Sequence, residues 1–140
     1  IELHQKTNCG WIIFGANDPV TSHVAGELEA KLGKSFAVNF SGKTTLPELC
    51  AGLKFCRLVL TNDTGPMHIA AALGTPVVVP FGSTSAELTG PTFSQKNALI
   101  TASVPCAPCF LRECPIDFRC MKSIEVQQMV AACINIVESL

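Results

Sequence analysis

The sequence predicts an α/β domain: a parallel, doubly wound sheet with helices on both faces. Three observations carry this expectation. Short apolar runs closed by glycine or polar turns alternate with helical spacings from end to end. The run VVVPF at 77–81 is β-branched without polar alternation, as in a parallel strand covered on both sides. The connections are short, and repeated βα units with short loops wind into a parallel sheet.

Taken in order, residues 1–6 read as the tail of an interrupted element. Residues 11–14 form a buried strand closed by Gly15. After a turn at Asn17, Asp18 and Pro19, a helix runs to about residue 32, with Val24, Leu28 and Leu32 spaced by fours on one face. Gly33 fits its C-terminal cap. A strand follows at 36–40, then a turn at Ser41, Gly42 and Lys43. Thr45 and Glu48 match a capping box for a helix to about residue 55. The strand at 57–61 leads through a polar turn into an alanine-rich helix at about 67–73. After the strand at 77–81 come a helical turn near 86–88 and a short strand at 98–101. A cysteine-rich excursion covers 104–121, and Ser123 caps a final helix over 124–139.

At 140 residues the chain suits one domain with a real core. Hydrophobic residues make up 48% and charged residues only 15%, which suits a tightly wound core together with a surface meant for a partner. Such a surface is also a route to self-association. A net charge of -1, no basic run and a single Trp argue against nucleic acid as a partner. No apolar stretch is long enough to cross a membrane as a helix, and the first residues carry no signal-peptide pattern.

In such sheets ligands sit beyond the carboxyl ends of the strands, which singles out the loops after Phe14, Asn39, Thr61 and Phe81. The most informative is Asn62-Asp63-Thr64-Gly65-Pro66. Pro66 stands where a first helical residue is favoured, since its missing N–H is not needed there. The opening N–H groups of the helix lack internal partners, and the macrodipole adds partial positive charge, so the end suits a diphosphate. Gly65 allows close approach of a ligand to the backbone, and the Thr64 hydroxyl and the His68 ring can donate to the same group. The plainer alternative is that Asp63 or Thr64 only caps the helix and His68 is a partly buried polar residue.

Three stretches carry a resemblance to a known family: TNDTGPMHIAAALGTPVVVPFGSTSAELTGP, PCAPCFLRECPIDFRCM, and FAVNFSGKTTLPELCAGLKFCRLVLTNDTGPMH. Together the chain resembles the heptosyltransferases of glycosyltransferase family 9 over roughly residues 11–138. The resemblance implies a Rossmann-like domain, the C-terminal half of a GT-B enzyme whose two domains face across a cleft. It implies a nucleoside-diphosphate sugar, ADP-heptose-like, as donor, and transfer with inversion to a lipid-linked lipopolysaccharide-core acceptor held by the other domain. By the same resemblance Asp63, Thr64, Gly65 and His68 lie at the diphosphate and sugar, Asn39 lies near the nucleoside, and Gly15 lines the same cleft. Lys43 has a weaker claim, since a turn lysine is mostly solvated.

The chain departs from the family's pattern at its start, where a strand and helix with a phosphate-contacting lysine are expected before Trp11. It is therefore read as a donor-binding fragment, 1–140, lacking the acceptor domain and the first βα unit of its own. Transfer needs no cofactor on this reading, because the helix start and His68 supply the electrostatic help to the leaving diphosphate. Asp63 and Glu87 are unpersuasive as bases, the one in the phosphate turn and the other in a solvated turn, so the base belongs on the missing domain. The full enzyme is expected in the cytoplasm, peripheral at the inner membrane. A non-catalytic nucleotide-binding or metal-stapled interaction module is the alternative, and an epimerase or hydrolase would need better placed carboxylates.

The eight cysteines are unevenly placed. Cys9, Cys50, Cys56 and Cys133 sit in apolar surroundings and read as small buried hydrophobes. Cys106-x2-Cys109-x4-Cys114-x5-Cys120 offers four thiolates, enough for a structural zinc or an iron–sulfur cluster. Only one CxxC is present, so free thiols and disulfides stand as the alternatives.

Overall fold

A computed structural model describes residues 1–93 and 96–140. The chain divides into two compact units, Ile1–Gly52 and Leu53–Leu140.

The first unit runs α1 (Glu2–Thr7), β1 (Trp11–Ile13), α2 (Pro19–Leu32) and β2 (Ala37–Asn39), and α3 (Leu46–Phe55) carries the chain into the second. β1 and β2 are parallel, in register from Trp11 opposite Ala37 to Ile13 opposite Asn39, so α2 is the crossover. Asp18 starts α2: its carboxylate accepts the Thr21 N–H at 2.9 Å and the Thr21 hydroxyl at 2.6 Å, with Pro19 at the first helical position. Gly33 ends it with φ +88°, a conformation that costs side chains with a Cβ. The core is Ile13, Ala25, Leu32 and Ala37, with Trp11 and Leu28 packed against it. The buried stripe of α2 is therefore Ala25, Leu28 and Leu32, one residue round from the expected one, and Val24 is 56% exposed. Both sets fit a helical repeat, and the small Ala25 lets the helix approach β1 and β2 more closely than Val24 would. At α3, Thr45 and Glu48 do interact, but Glu48 accepts both the Thr45 N–H and its hydroxyl, at 2.7 Å each. This is half of the expected reciprocal box.

The second unit runs β3 (Val59–Leu60), α4 (Gly65–Ala72), β4 (Val77–Phe81), α5 (Ala86–Thr89), β5 (Asn97–Thr101), α6 (Arg119–Lys122) and α7 (Val126–Glu138). Its strands are parallel in the order β3-β4-β5. Val77, Val78, Val79 and Phe81 of the middle strand are almost wholly buried. Met67, Ala70 and Ala71 of α4 and Val130 and Cys133 of α7 are buried as well, and both helices pack on β4. Thr75, 3% exposed, donates its hydroxyl to the Leu53 carbonyl at 3.1 Å. The final helix is not capped by Ser123. That residue ends α6, with its hydroxyl on the Cys120 carbonyl, and Glu125 caps α7 in a reciprocal box with Gln128. The short turn α6 takes up the expected cap and moves the helix start two residues on. Among the described residues, no helix is long and apolar enough to cross a membrane. The molecule is thus mixed α/β, with parallel strands and helices as the sequence predicts, but the strands form two sheets, β1-β2 and β3-β4-β5, where the sequence predicts one.

Candidate functional site

In the second unit, β3 and β4 are parallel neighbours, so the turn into α4 and the turn after Phe81 open on the same carboxyl rim. Thr64 is the N-cap of α4 by backbone conformation, yet its hydroxyl makes no cap bond. It donates to the Asn62 carbonyl at 3.2 Å and lies 3.4 Å from the Thr61 hydroxyl. Pro66 has no N–H, and the Met67 N–H is used by the Thr64 carbonyl at 3.0 Å. The opening amide at Gly65 is left without a side-chain cap. The plain capping reading of Asp63 and Thr64 is therefore not what this turn does.

Gly65 is informative because the protein itself does not require it. Its φ lies outside the left-handed region, and a Cβ built there meets nothing within 4 Å. A side chain at 65 would occupy open space at the start of a helix, where backbone dipoles converge. Thr64, Gly65 and His68 are all exposed at this end, and Met67 anchors the first turn with 0% exposure. Chemically, such a helix start suits an anion, and the exposed His68 ring can add a donor, while the Thr64 hydroxyl is occupied by the Asn62 carbonyl.

Asp63 is committed elsewhere. Its carboxylate accepts the Thr89 hydroxyl at 2.7 Å, a contact across 26 residues that ties the turn to the end of α5. This half-buried bond holds the turn's shape. Glu87, in the first turn of α5, is exposed, as a solvated turn residue should be.

In the first unit, Asn39 ends β2 and its side-chain oxygen accepts the Ser41 N–H at 3.0 Å and the Ser41 hydroxyl at 2.7 Å. Ser41 is buried, so this Asx turn fixes the strand end and leaves only the Asn39 amide N–H groups to donate. Lys43 is exposed and donates to the Asn39 carbonyl at 3.1 Å, a local role in the same turn. A Cβ at Gly15 would strike the Thr21 side chain and lie 3.3 Å from Ser41 Cβ. Gly15 therefore serves the packing of α2 against the strand end. In the first unit, Gly15 on the turn after β1 lies beside the turn after β2 that holds Asn39 and Lys43, the Gly42 N–H donating to the Gly15 carbonyl at 2.9 Å; in the second, Asp63, Thr64, Gly65 and His68 gather at the start of α4.

Cys106, Cys109, Cys114 and Cys120 are free thiols in the structure. Among the described residues, no group of three or more His, Cys, Asp or Glu side chains is arranged to hold a metal ion. The four thiols line the wall of one cavity without converging on a point. Cys120 is buried with its sulfur 3.4 Å from where a Gly82 Cβ would stand, while Cys106 and Cys109 are exposed. Of the scattered four, Cys133 is buried as expected, and Cys9, Cys50 and Cys56 are half-buried. Burial pushes the Cys56 thiol up from its ordinary range.

Sequence reasoning missed the parts played by Thr89 and Ser41. Asn39-x-Ser41 carried a local signal, since this pattern favours Asx turns. Thr89 carried none, because its partner is far away in the chain.

A parallel α/β unit with an uncapped helix start on its carboxyl rim belongs to the class that takes anionic ligands there. The comparisons narrow that class. The profile of glycosyltransferase family 9 (heptosyltransferase) matches residues 1–118, and the chain belongs to this family. It is 32% identical over 102 residues to lipooligosaccharide heptosyltransferase 2 of Campylobacter jejuni, covering 72% of this chain and 32% of that protein. To the lipooligosaccharide heptosyltransferase 2 of Haemophilus influenzae it is 39% identical over 90 residues, covering 63% and 25%. It therefore spans about a third or less of these relatives. In fold it is similar to the Escherichia coli ADP-heptose lps heptosyltransferase II, with TM-score 0.77, 24% identity, and coverage of 99% of this chain and 40% of that one. A family 9 glycosyl transferase from Veillonella parvula aligns with TM-score 0.62 at 18% identity, over 99% and 50%.

Proposed function

We propose that this chain is the donor-binding part of an inverting glycosyltransferase that moves heptose, or a related sugar, from an ADP-heptose-like donor to a lipopolysaccharide-core acceptor. The uncapped α4 start, with open space in front of Gly65, carries the reading. Family membership and the names of the relatives support its specifics.

As the sugar leaves, negative charge builds on the diphosphate. The Gly65 amide and the α4 dipole supply donors for that charge, the His68 ring can add one, and the Thr64 hydroxyl can join them by leaving the Asn62 carbonyl; such preorganised help is often the largest catalytic contribution. Asp63 positions this turn through Thr89. The base that takes the acceptor proton belongs to the portion of the full-length protein outside these residues, and the full enzyme works in the cytoplasm at the inner membrane.

The test is a thermal-shift titration of the chain with ADP, UDP and GDP. A ligand that binds only the folded state adds about 2.7 kcal/mol at a hundredfold excess over its dissociation constant. ADP is expected to raise the melting temperature, and Gly65→Val is expected to lose most of that rise while melting normally without ligand. The chain alone is expected to transfer no sugar. No shift with any nucleotide, or an equal shift in Gly65→Val, would remove the basis of this reading.

A further inference from the structure

The segment between β5 and α6 is not used by the proposed donor site. Residues 102–118 form no strand or helix. Phe110 and Phe118 hold left-handed backbone, φ 55° and 57°. Bulky side chains rarely adopt that conformation, and it clusters at functional sites. The segment is seated on the end of β4, where the N–H groups of Cys109 and Phe110 both donate to the Ser83 carbonyl, at 3.1 and 2.8 Å. The turn 114–118 closes on itself, with the Phe118 N–H on the Cys114 sulfur at 3.3 Å. Together with the start of α6, the segment surrounds a cavity of about 220 Å³.

The wall of this cavity has two kinds of surface. Leu111, Ile116, Phe118 and Met121 are apolar, and the four clustered thiols add soft, weakly polar surface. A Cβ at Gly82 would strike the Met121 sulfur and lie 3.4 Å from that of Cys120, so the bare backbone there lets both pack against the strand end. The charged groups in the wall are Arg112 and Arg119, and among the described residues no carboxylate joins them. Arg119 is already matched, since its Nε and Nη2 donate to the Asp117 carboxylate at 3.0 and 3.4 Å. Arg112 has no hydrogen bond or ion pair among the described residues. The wall therefore carries one unmatched positive charge beside an apolar interior.

We propose that this cavity binds a small monocarboxylic acid whose apolar body is the size of an aromatic ring, with the carboxylate on Arg112. Size, lining and charge point there independently. An apolar cavity of about 150 Å³ holds benzene. The space here therefore takes a ring with a short acid arm. Sulfur makes favourable contacts with aromatic rings, and the wall offers the sulfurs of Met121 and of the four clustered cysteines. One unmatched guanidinium suits one carboxylate, which it can hold through two parallel N–H bonds. A dianion would keep a charge without a partner, and an amine would meet repulsion.

The test uses the whole chain with ¹³C-labelled methionine methyl groups. Its probes are phenylacetate, 2-phenylethanol and 2-phenylethylamine, one skeleton in three charge states. Of the three methionines, Met121 stands in the cavity wall, and Met67 and Met129 stand outside it. Phenylacetate is expected to shift the Met121 methyl resonance saturably and to leave the other two in place. Its dissociation constant should be about 1 mM or below, within reach of a ligand of about ten non-hydrogen atoms. The alcohol should bind about fivefold or more weakly, and the amine more weakly still. Arg112→Gln should bring phenylacetate to within about twofold of the alcohol and leave the alcohol unchanged. A merely structural role for Arg112 would weaken both alike. Equal affinity for acid and alcohol in the parent, a dissociation constant above about 1 mM, or shifts confined to Met67 or Met129 would overturn the assignment. So would copurified zinc or iron on the four thiols that keeps the acid out. The parent titration decides the matter even where the variant folds poorly.

Discussion

Two regions share the rim around β4 and are built on opposite principles. The β3–α4 turn stands on a buried foundation: Met67 is 0% exposed beneath it, and Val77, Val78 and Val79 lie in the adjacent strand. The cysteine segment has apolar side chains in similar number, but Phe110, Leu111, Ile116 and Phe118 remain at the surface. Burying apolar area supplies most of the free energy that fixes backbone. A turn supported in this way can leave its own polar groups uncapped and still keep its shape. A segment without that support is held by local bonds, such as the two N–H groups on the Ser83 carbonyl and the wrap of 114–118 around Cys114. The first suits preorganised binding, and the second leaves its apolar side chains to solvent.

The strongest way to break this comparison is to remove side chains from each region. Met67→Ala is expected to destabilise the chain by about 2–5 kcal/mol, as truncation of a fully buried core residue does. Ile116→Ala and Leu111→Ala should fall within about 0.5 kcal/mol of the parent, since side chains left half exposed contribute little. Urea unfolding measures all three. Comparable losses in both regions would mean that the segment belongs to the core after all.

The uneven legibility of the sequence has the same physical origin. β4 was readable because an unbroken β-branched run has few other uses, and α4 because Pro66 and the turn before it are local signals. The face of α2 was misplaced because Val24 and Ala25 both fit a helical repeat, and only packing distance chooses between them. Ser123 was misread because it ends a turn that the sequence did not announce. In the candidate site, Thr64, Gly65 and His68 were found at the helix start, while the tie of Asp63 to Thr89 spans 26 residues and leaves no local trace. Cysteine spacing gave a ligand count, but a metal site also needs the directions in which sulfurs point, which spacing does not encode.

That long-range tie gives the next prediction. Thr89→Val removes the donor and leaves a half-buried carboxylate without it, expected to cost about 1–3 kcal/mol. Because Asp63 shapes the turn, nucleotide affinity should fall as well. A normal affinity with lowered stability would mean that Asp63 supports the fold without shaping the site. The two glycines on the strand-end turns sharpen the contrast further. Gly15→Ala places a methyl against Thr21 and should destabilise by about 1–3 kcal/mol, as overpacking does. Gly65→Ala enters open space and should leave the melting temperature near that of the parent while weakening nucleotide binding. Differential scanning calorimetry with and without ADP separates the two effects.

The smallest effect expected is also the most local. The Asp18 carboxylate is held below its ordinary range, first by the Thr21 hydroxyl and then by the Thr21 N–H. A folded-state value below the unfolded one means that the cap stabilises at neutral pH and fades as pH falls through the depressed value. Asp18 caps only the first turn of α2, so the effect is confined there and should be read there, not in global melting. Protection of the Thr21 amide from hydrogen exchange, after correction for the intrinsic rate, is expected to fall on acidification in the parent. In Asp18→Ala it should be low at every pH. Core amides of β4, which no titrating group holds, should show no such dependence. A cap whose protection survived full protonation would mean that Pro19 and the buried Ala25–Leu32 stripe define the helix start by themselves.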